Sequence, residues 1–224
     1  MKTEITPLQK SLNIWAITLI LWSLYRGFFK TELPIWFDEL VAKPLIFIGP
    51  IYYYITKKET QDFLKAIDLK NKYWKDGLLW GLLFGTIFFI VGFTTQLIRV
   101  GSYENLSLPI SSLANLITLI LLAFATSFSE ETLSRGFILK RLFQDSKNML
   151  SASFFTSFLY FFIRVPMLFS DPDIRGMMLI QIMATDFVFS FAVSILFLQR
   201  KNLFLPIVIH AFYIISTQLF LGLS

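Results

Sequence analysis

The stretch ITLILLAFATSFSEETLSRG, residues 117–136, decides how this chain folds. It is an apolar run followed by Glu130, Glu131 and Arg135, where we expect a membrane helix to end. A charge at membrane depth costs about 2.5–3.5 kcal/mol on insertion scales, so such residues usually serve a function or a specific pairing. Glu131 and Arg135 lie four residues apart on one helix face, which predicts an ion pair. Glu130 then points about 100° away and is available for another role.

The composition of the whole chain predicts a polytopic membrane protein. Of its 224 residues, 55% are hydrophobic and 26 are phenylalanine, and the mean hydropathy is +0.65. A soluble domain of this size does not need so much apolar surface. A bilayer tolerates only helices and closed barrels, and the apolar runs here have helix length and do not alternate. We therefore expect an all-α transmembrane helical bundle.

The hydropathy pattern predicts seven spans. They lie near residues 12–29, 40–55, 77–98, 110–128, 149–168, 177–198 and 203–221. The second is the least regular, because Lys43, Pro44 and Pro50 interrupt it. Between the second and third spans, residues 57–75 are polar and amphipathic, which predicts a helix lying on the membrane surface.

The distribution of basic residues predicts an orientation. Most of the 20 lysine and arginine residues fall in the N-terminus and in every second loop. This bias indicates a protein of the cell membrane with a cytoplasmic N-terminus and an external C-terminus. It also places the Glu130–Glu131 end of the fourth span at the cytoplasmic side. Basic loops facing an anionic leaflet account for the net charge of +5, so we expect no nucleic-acid binding.

The residue types that are scarce exclude several kinds of chemistry. The chain has no cysteine, which excludes disulfides, thiolate metal sites and a cysteine nucleophile. It has one histidine, so it cannot build a zinc site from two or three histidines. We expect neither a metal nor a cofactor.

Polar residues inside the later spans form a candidate site. Arg164 lies in the fifth span, Gln181 and Asp186 in the sixth, and His210 in the last. Each has an alternative role: Arg164 could reach out to the lipid headgroups, Asp186 could cap a helix break or bond a neighbouring helix, and His210 could be a packing residue. Their presence in three successive spans favours a shared site, because lipid alone would exclude them.

The pattern Glu130-Glu131-x-x-x-Arg135-Gly136, followed one and three spans later by polar helix positions, resembles the CPBP family. This family includes the CAAX prenyl endopeptidases and the bacteriocin-processing and immunity (Abi) membrane proteins. Its signature is Glu-Glu-x-x-x-Arg, then Phe-x-x-x-His on the next helix, then His-x-x-x-Asn near the end, where a small or polar residue can replace the Asn. The resemblance covers roughly residues 110–220.

The resemblance implies a division of the chain and a role for each matching residue. Residues 106–224 would form the core bundle, and residues 1–105 would add N-terminal spans. Glu130 would be the catalytic glutamate, and Glu131 with Arg135 the structural ion pair. His210 would be the histidine of the third motif, which stabilises the oxyanion of the tetrahedral intermediate.

Four positions depart from the family pattern. Ser134 stands where Phe is usual before the arginine, and Tyr160 replaces the Phe of the second motif. Arg164 replaces the histidine of that motif, and Ile214 stands where Asn is common. Arginine cannot accept a proton, and a guanidinium beside a glutamate occupies its oxygens. Losing one oxyanion donor typically costs about 10²–10³ in rate.

Three function classes follow from these residues. The first is a glutamate-dependent intramembrane endopeptidase that cleaves a membrane-associated protein or peptide near the cytoplasmic face, with Arg164 as an electrophile. The second is a catalytically silent relative that acts as a membrane scaffold or as an immunity-type binding protein. The third is a small transporter or channel in which Glu130, Asp186 and Arg164 line a polar path, although the sequence has no inverted repeat or paired broken helix to support it.

Overall fold

The computed structural model describes residues 6–29, 33–69, 74–101, 112–170 and 175–221. Within these ranges the chain forms eight helices and no strand, which confirms the predicted all-α bundle. The helices are α1 (Pro7–Phe29), α2 (35–58), α3 (Phe63–Ala66), α4 (Trp74–Val100), α5 (Leu113–Ser146), α6 (Met149–Phe169), α7 (Gly176–Arg200) and α8 (204–221).

The starts of the long helices follow from local sequence. The Thr6 hydroxyl accepts a hydrogen bond from the backbone of Gln9, and the Gln9 side chain accepts one from the backbone of Thr6. With Pro7 at the first helical position, this capping box begins α1. Ser112 and Asn148 cap α5 and α6 by accepting a backbone hydrogen bond from three residues further on.

Five of the described helices are long and apolar enough to cross a membrane, namely α1, α4, α5, α6 and α7. The apolar helix α8 is shorter, and α2 carries Asp38, Glu39 and Lys43 near its beginning. The chain is therefore a multi-pass membrane protein. The total of seven spans stays a prediction, because α2 and α8 do not meet the same length and composition as the other five.

Helix α5 extends well past its predicted end. It continues through a π-helical segment, Thr132–Leu139, and finishes at Ser146, so that it is 34 residues long. Glu130, Glu131 and Arg135 consequently lie in the interior of this helix and are buried. The expectation that the helix ends at these charges is wrong, because the charges are neutralised inside the bundle and do not need to reach water. Such π-helical segments are frequent at functional sites.

The polar segment 57–75 is not one continuous helix. Its described part contains the end of α2, the four-residue helix α3 and the first two residues of α4, with left-handed backbone at Thr60 and Asp68 (φ 52° and 59°). Ile67 is fully buried, and the space beside Gly136 of α5 is filled by its side chain. The expected surface helix is therefore wrong for the described residues, because this segment docks onto the bundle through Ile67. The four residues before α4 lie outside the described ranges.

Helices α4 and α8 pack most extensively, and small residues allow them to approach closely. A Cβ atom added to Gly81 would lie 2.6 Å from Cβ of Val208, and one added to Gly85 would lie 2.7 Å from Cγ of Phe212. Glycines one turn apart permit this kind of contact in membrane bundles. The contact fixes the position of α8 and so of His210, which lies between Val208 and Phe212 in the chain.

Candidate active site

The structure brings four polar side chains from three other helices around Glu130. Lys43 Nζ donates a hydrogen bond to Glu130 Oε1 at 3.2 Å, and Arg164 Nη1 lies 3.5 Å from the same oxygen. The hydroxyl of Tyr160 donates to Glu130 Oε2 at 2.8 Å, and His210 Nε2 lies 3.8 Å from that oxygen. Both oxygens of this buried carboxylate are therefore in contact with other side chains.

The second carboxylate, Glu131, forms its own fully buried cluster. Its Oε1 accepts a hydrogen bond from Arg135 Nη1 at 2.9 Å and lies 2.8 Å from His210 Nδ1, which donates because an ionised carboxylate has no proton to give. Arg135 Nη1 also donates to Ser134 Oγ, and Nη2 donates to the carbonyl and the hydroxyl of Ser190 at 3.0 and 2.9 Å. Arg135 thus ties α5 to α7, and Glu131 fixes the orientation of the His210 ring.

Arg164 is shared between two carboxylates. Its Nε donates a hydrogen bond to Asp186 Oδ2 at 3.1 Å, while its Nη1 faces Glu130. The hydroxyl of Tyr213 donates to Asp186 Oδ1 at 3.0 Å. Arg164 therefore turns into the bundle and does not extend to the headgroups, and Asp186 links α6, α7 and α8.

Ile214 lies near the other candidates without making a polar contact. Together with Arg164 and Asp186 it lines a cavity of about 270 Å³. Its hydrocarbon side chain offers no hydrogen-bond donor at the position where the family resemblance implies an asparagine.

Sequence reasoning missed two residues that contact Glu130. By its sequence context Lys43 is only an interruption of the second span, yet in the structure it is fully buried and also lies 2.6 Å from Glu39 Oε2. The signal that could have found it is the four-residue spacing of Glu39 and Lys43 inside an apolar segment. Tyr160 was interpreted only as a replacement for Phe, although its hydroxyl is a donor that Phe lacks.

A metal centre has no obvious ligands here. Among the described residues, no group of three or more histidine, aspartate or glutamate side chains is arranged to hold a metal ion. The charges of the site are instead balanced by lysine and arginine side chains.

Residues 112–215 match the family model described as Rce1-like, type II CAAX prenyl endopeptidase Rce1-like. This match confirms the resemblance to the CAAX protease family that the glutamate motif predicts. The matched region contains Glu130, Arg164 and His210, whereas Lys43 lies outside it. No curated protein and no solved structure shows significant similarity to the chain. Residues 112–215 of this multi-pass membrane protein are thus similar to the CAAX prenyl endopeptidases.

Proposed function

We propose that this protein is a catalytically silent relative of the Rce1-like endopeptidases, and that it acts as a binding protein or scaffold within the membrane. The observation that carries this proposal is that both carboxylate oxygens of Glu130 are in contact with other side chains. Its Oε1 accepts a hydrogen bond from Lys43 and faces Arg164, and its Oε2 accepts one from Tyr160. A general base needs a lone pair directed at the water that it deprotonates, whereas each oxygen of Glu130 already accepts one hydrogen bond and faces a further charged or imidazole side chain.

The two departures from the family pattern support the same conclusion. The Arg164 guanidinium has no atom that can accept a proton, so it cannot share the work of a base with Glu130. Ile214 brings no donor to an oxyanion, and losing one such donor lowers a rate by about 10²–10³. Both replacements act on the steps that an endopeptidase of this kind requires.

A glutamate-dependent endopeptidase acting on a membrane-associated protein or peptide is the second candidate, and the geometry of His210 favours it. Glu131 holds Nδ1 of His210, so that Nε2 faces Oε2 of Glu130 at 3.8 Å and the Tyr160 hydroxyl at 3.4 Å. An oriented carboxylate–imidazole pair is a common arrangement for acid–base catalysis. In this alternative Glu130 and His210 share the base role, and Arg164 stabilises the oxyanion.

A cleavage assay separates the two candidates. The purified protein is incubated in detergent and in liposomes with a quenched fluorescent peptide library, and the parent is compared with Glu130→Gln and Arg164→His/Ile214→Asn. We expect no cleavage by the parent. Cleavage should appear in the double variant, and more strongly when Lys43→Met also frees Glu130. Arg175→His serves as the control, since Arg175 is exposed and lies outside the site.

Each result of this assay has a definite meaning. Robust cleavage by the parent that Glu130→Gln abolishes would overturn the proposal and establish the endopeptidase. Cleavage that Glu130→Gln does not affect would come from a contaminating protease. Silence of the parent and of all variants leaves binding as the function.

The proposal includes the orientation that the basic residues predict, with the N-terminus in the cytoplasm and the C-terminus outside the cell. In this orientation the beginning of α1 lies at the cytoplasmic side of the bundle and its end at the external side.

A further inference from the structure

The cavity of about 270 Å³ beside the candidate site is lined by both charged and apolar side chains. It lies where α1, α6 and α8 finish. Its charged lining residues are Arg26, Asp38, Glu39, Lys43, Arg164 and Asp186. The apolar part of the lining includes Ile35, Leu122, Met167 and Ile182.

The charged lining residues lie in pairs. Arg26 lies 3.2 Å from Asp38, Lys43 lies 2.6 Å from Glu39, and Arg164 lies 3.1 Å from Asp186. Glu130, just behind the lining, adds a fourth carboxylate beside Lys43 and Arg164. An anionic ligand would lose its hydration on entering and would find no excess of positive charge to compensate it. The lining therefore disfavours a ligand with a net negative charge.

Two of the charged side chains are more accessible than the others. The Glu39 side chain is 15% exposed and that of Arg164 is 13% exposed, whereas those of Lys43 and Asp186 are 1% and 2% exposed. One anion and one cation therefore face the cavity. A zwitterion could place its ammonium group at Glu39 and its phosphate at Arg164, whose guanidinium suits phosphate oxygens.

The size of the cavity limits what can enter it. Its volume of about 270 Å³ lies just below the range of roughly 300–1,000 Å³ that is typical of small-molecule pockets. This is room for a small headgroup but not for acyl chains, which would have to lie along the apolar residues at the cavity. We propose that the cavity binds a zwitterionic amphiphile with a phosphate and an ammonium group, that is, a phosphoethanolamine-type lipid headgroup, at the external face of the membrane.

The assignment to the external face follows from a second cavity. That cavity, of about 520 Å³, is lined by Pro7, Lys140 and Arg141 among others. Helix α1 runs from Pro7 in this cavity to Arg26 in the first, a distance of about 28 Å along its axis. The hydrocarbon core is about 30 Å thick, so the two cavities lie at opposite faces. The end with the basic residues is the cytoplasmic one in the orientation proposed above. In this arrangement Glu130 lies about 25 Å from either end of α5, near the middle of the bundle, and not at the cytoplasmic side where the sequence pattern places it.

This inference rests on the proposed binding role, because it treats the cavity as a ligand site and not as an entrance for a peptide substrate. Thermal unfolding in detergent provides the test, with short-chain phosphatidylethanolamine as the probe. Phosphatidylglycerol with the same acyl chains tests whether an anionic lipid binds as well. Free phosphoethanolamine tests whether binding requires the acyl chains. We expect phosphatidylethanolamine to raise the Tm of the parent in a saturable manner and phosphatidylglycerol to have little effect.

The variants test the two accessible charges. Glu39→Gln and Arg164→Gln each remove one charge-assisted contact, which should weaken phosphatidylethanolamine binding about tenfold or more. Glu39→Gln keeps an acceptor for Lys43 and Thr126, so it is the variant expected to fold normally. Arg175→Gln, an exposed residue outside the cavity, should bind like the parent.

The lipid results distinguish the possible outcomes. Equal stabilisation by phosphatidylglycerol, no stabilisation by any probe, or binding unchanged in Glu39→Gln and Arg164→Gln would each overturn the inference. Equal binding of free phosphoethanolamine would support the headgroup chemistry and identify a soluble zwitterion as the source. Peptide cleavage by the parent would contradict the proposal that the protein is catalytically silent. It would leave the lipid inference standing, because lipid binding is measured independently of cleavage.

Single cysteines test the side of the membrane, since the chain has none of its own. Gln218→Cys lies on the lining of the external cavity, and Gln144→Cys lies on the lining of the other. A membrane-impermeant maleimide should label Gln218→Cys in intact cells and Gln144→Cys only after permeabilisation. Phosphatidylethanolamine should slow the labelling of Gln218→Cys. The opposite pattern of labelling would overturn the assignment to the external face.

Discussion

Replacing Glu131 with glutamine tests whether the buried ion pair stabilises the bundle. Glu131 Oε1 lies 2.9 Å from Arg135 Nη1 and 2.8 Å from His210 Nδ1, and all three side chains are fully buried. Glutamine has nearly the same shape but no charge, so Arg135 would remain buried without its counter-ion. Breaking a buried pair in this way costs about 3–5 kcal/mol. For a chain of this length we expect a fall in Tm of roughly 6–20 °C.

Thermal unfolding of the purified variant in detergent measures this loss. Glu59→Gln is the matched control, because the pair between Glu59 and Arg141 is partly exposed and should contribute at most about 1 kcal/mol. The double variant Glu131→Gln/Arg135→Met removes both charges and should recover most of the lost stability. A Tm of Glu131→Gln equal to that of the parent would refute the reasoning. A double variant as unstable as the single one would show that lost packing, and not a stranded charge, is the cause.

Three further substitutions test other contacts by the same measurement. Gly85→Ala should destabilise the protein by about 1–3 kcal/mol, because the added Cβ meets Phe212 at 2.7 Å. Gly27→Ala is the control and should be nearly neutral, because a Cβ at that position meets nothing within 4 Å. Equal effects of the two substitutions would contradict the packing argument. Lys43→Met should cost about 3–5 kcal/mol by leaving both Glu39 and Glu130 short of a cation, and Lys43→Met/Glu130→Gln should recover the part that comes from Glu130; additive losses would argue against this pair. Tyr160→Phe should cost about 1.5–3 kcal/mol, since it removes a 2.8 Å hydrogen bond to a charged acceptor, and an unchanged Tm would show that this bond is not needed.

The class of fold could be predicted because it depends on composition and on the length of apolar runs. Five helices of the expected kind are present, and they follow from a signal that each segment carries by itself. The end of α5 could not be predicted in this way. The charge of Glu130 marks the end of a span only if nothing in the bundle neutralises it, and the cations that do so, Lys43 and Arg164, are distant in sequence.

In the candidate site too, contacts between residues close in sequence could be predicted, whereas contacts between distant residues could not. The contact of Glu131 with Arg135 depends on helical spacing alone and could be read from four residues. The contact of Glu130 with Lys43 joins residues 87 positions apart, and no local pattern reports it. Lys43 is therefore not among the site residues that the sequence predicts, because in the sequence it only interrupts an apolar span.

The N-terminal helices do more than accompany the region that matches the Rce1-like family. Lys43 of α2 contacts Glu130 of α5, and Arg26 of α1 donates two hydrogen bonds to the Ser170 hydroxyl just after α6. The glutamate is therefore engaged by two cations of different origin, Arg164 from inside the matched region and Lys43 from outside it. Restoring the family residue at Arg164 alone leaves Lys43 in place. The silent state that we propose thus depends on both parts of the chain, which is why a gain of cleavage should be largest when both cations are removed together.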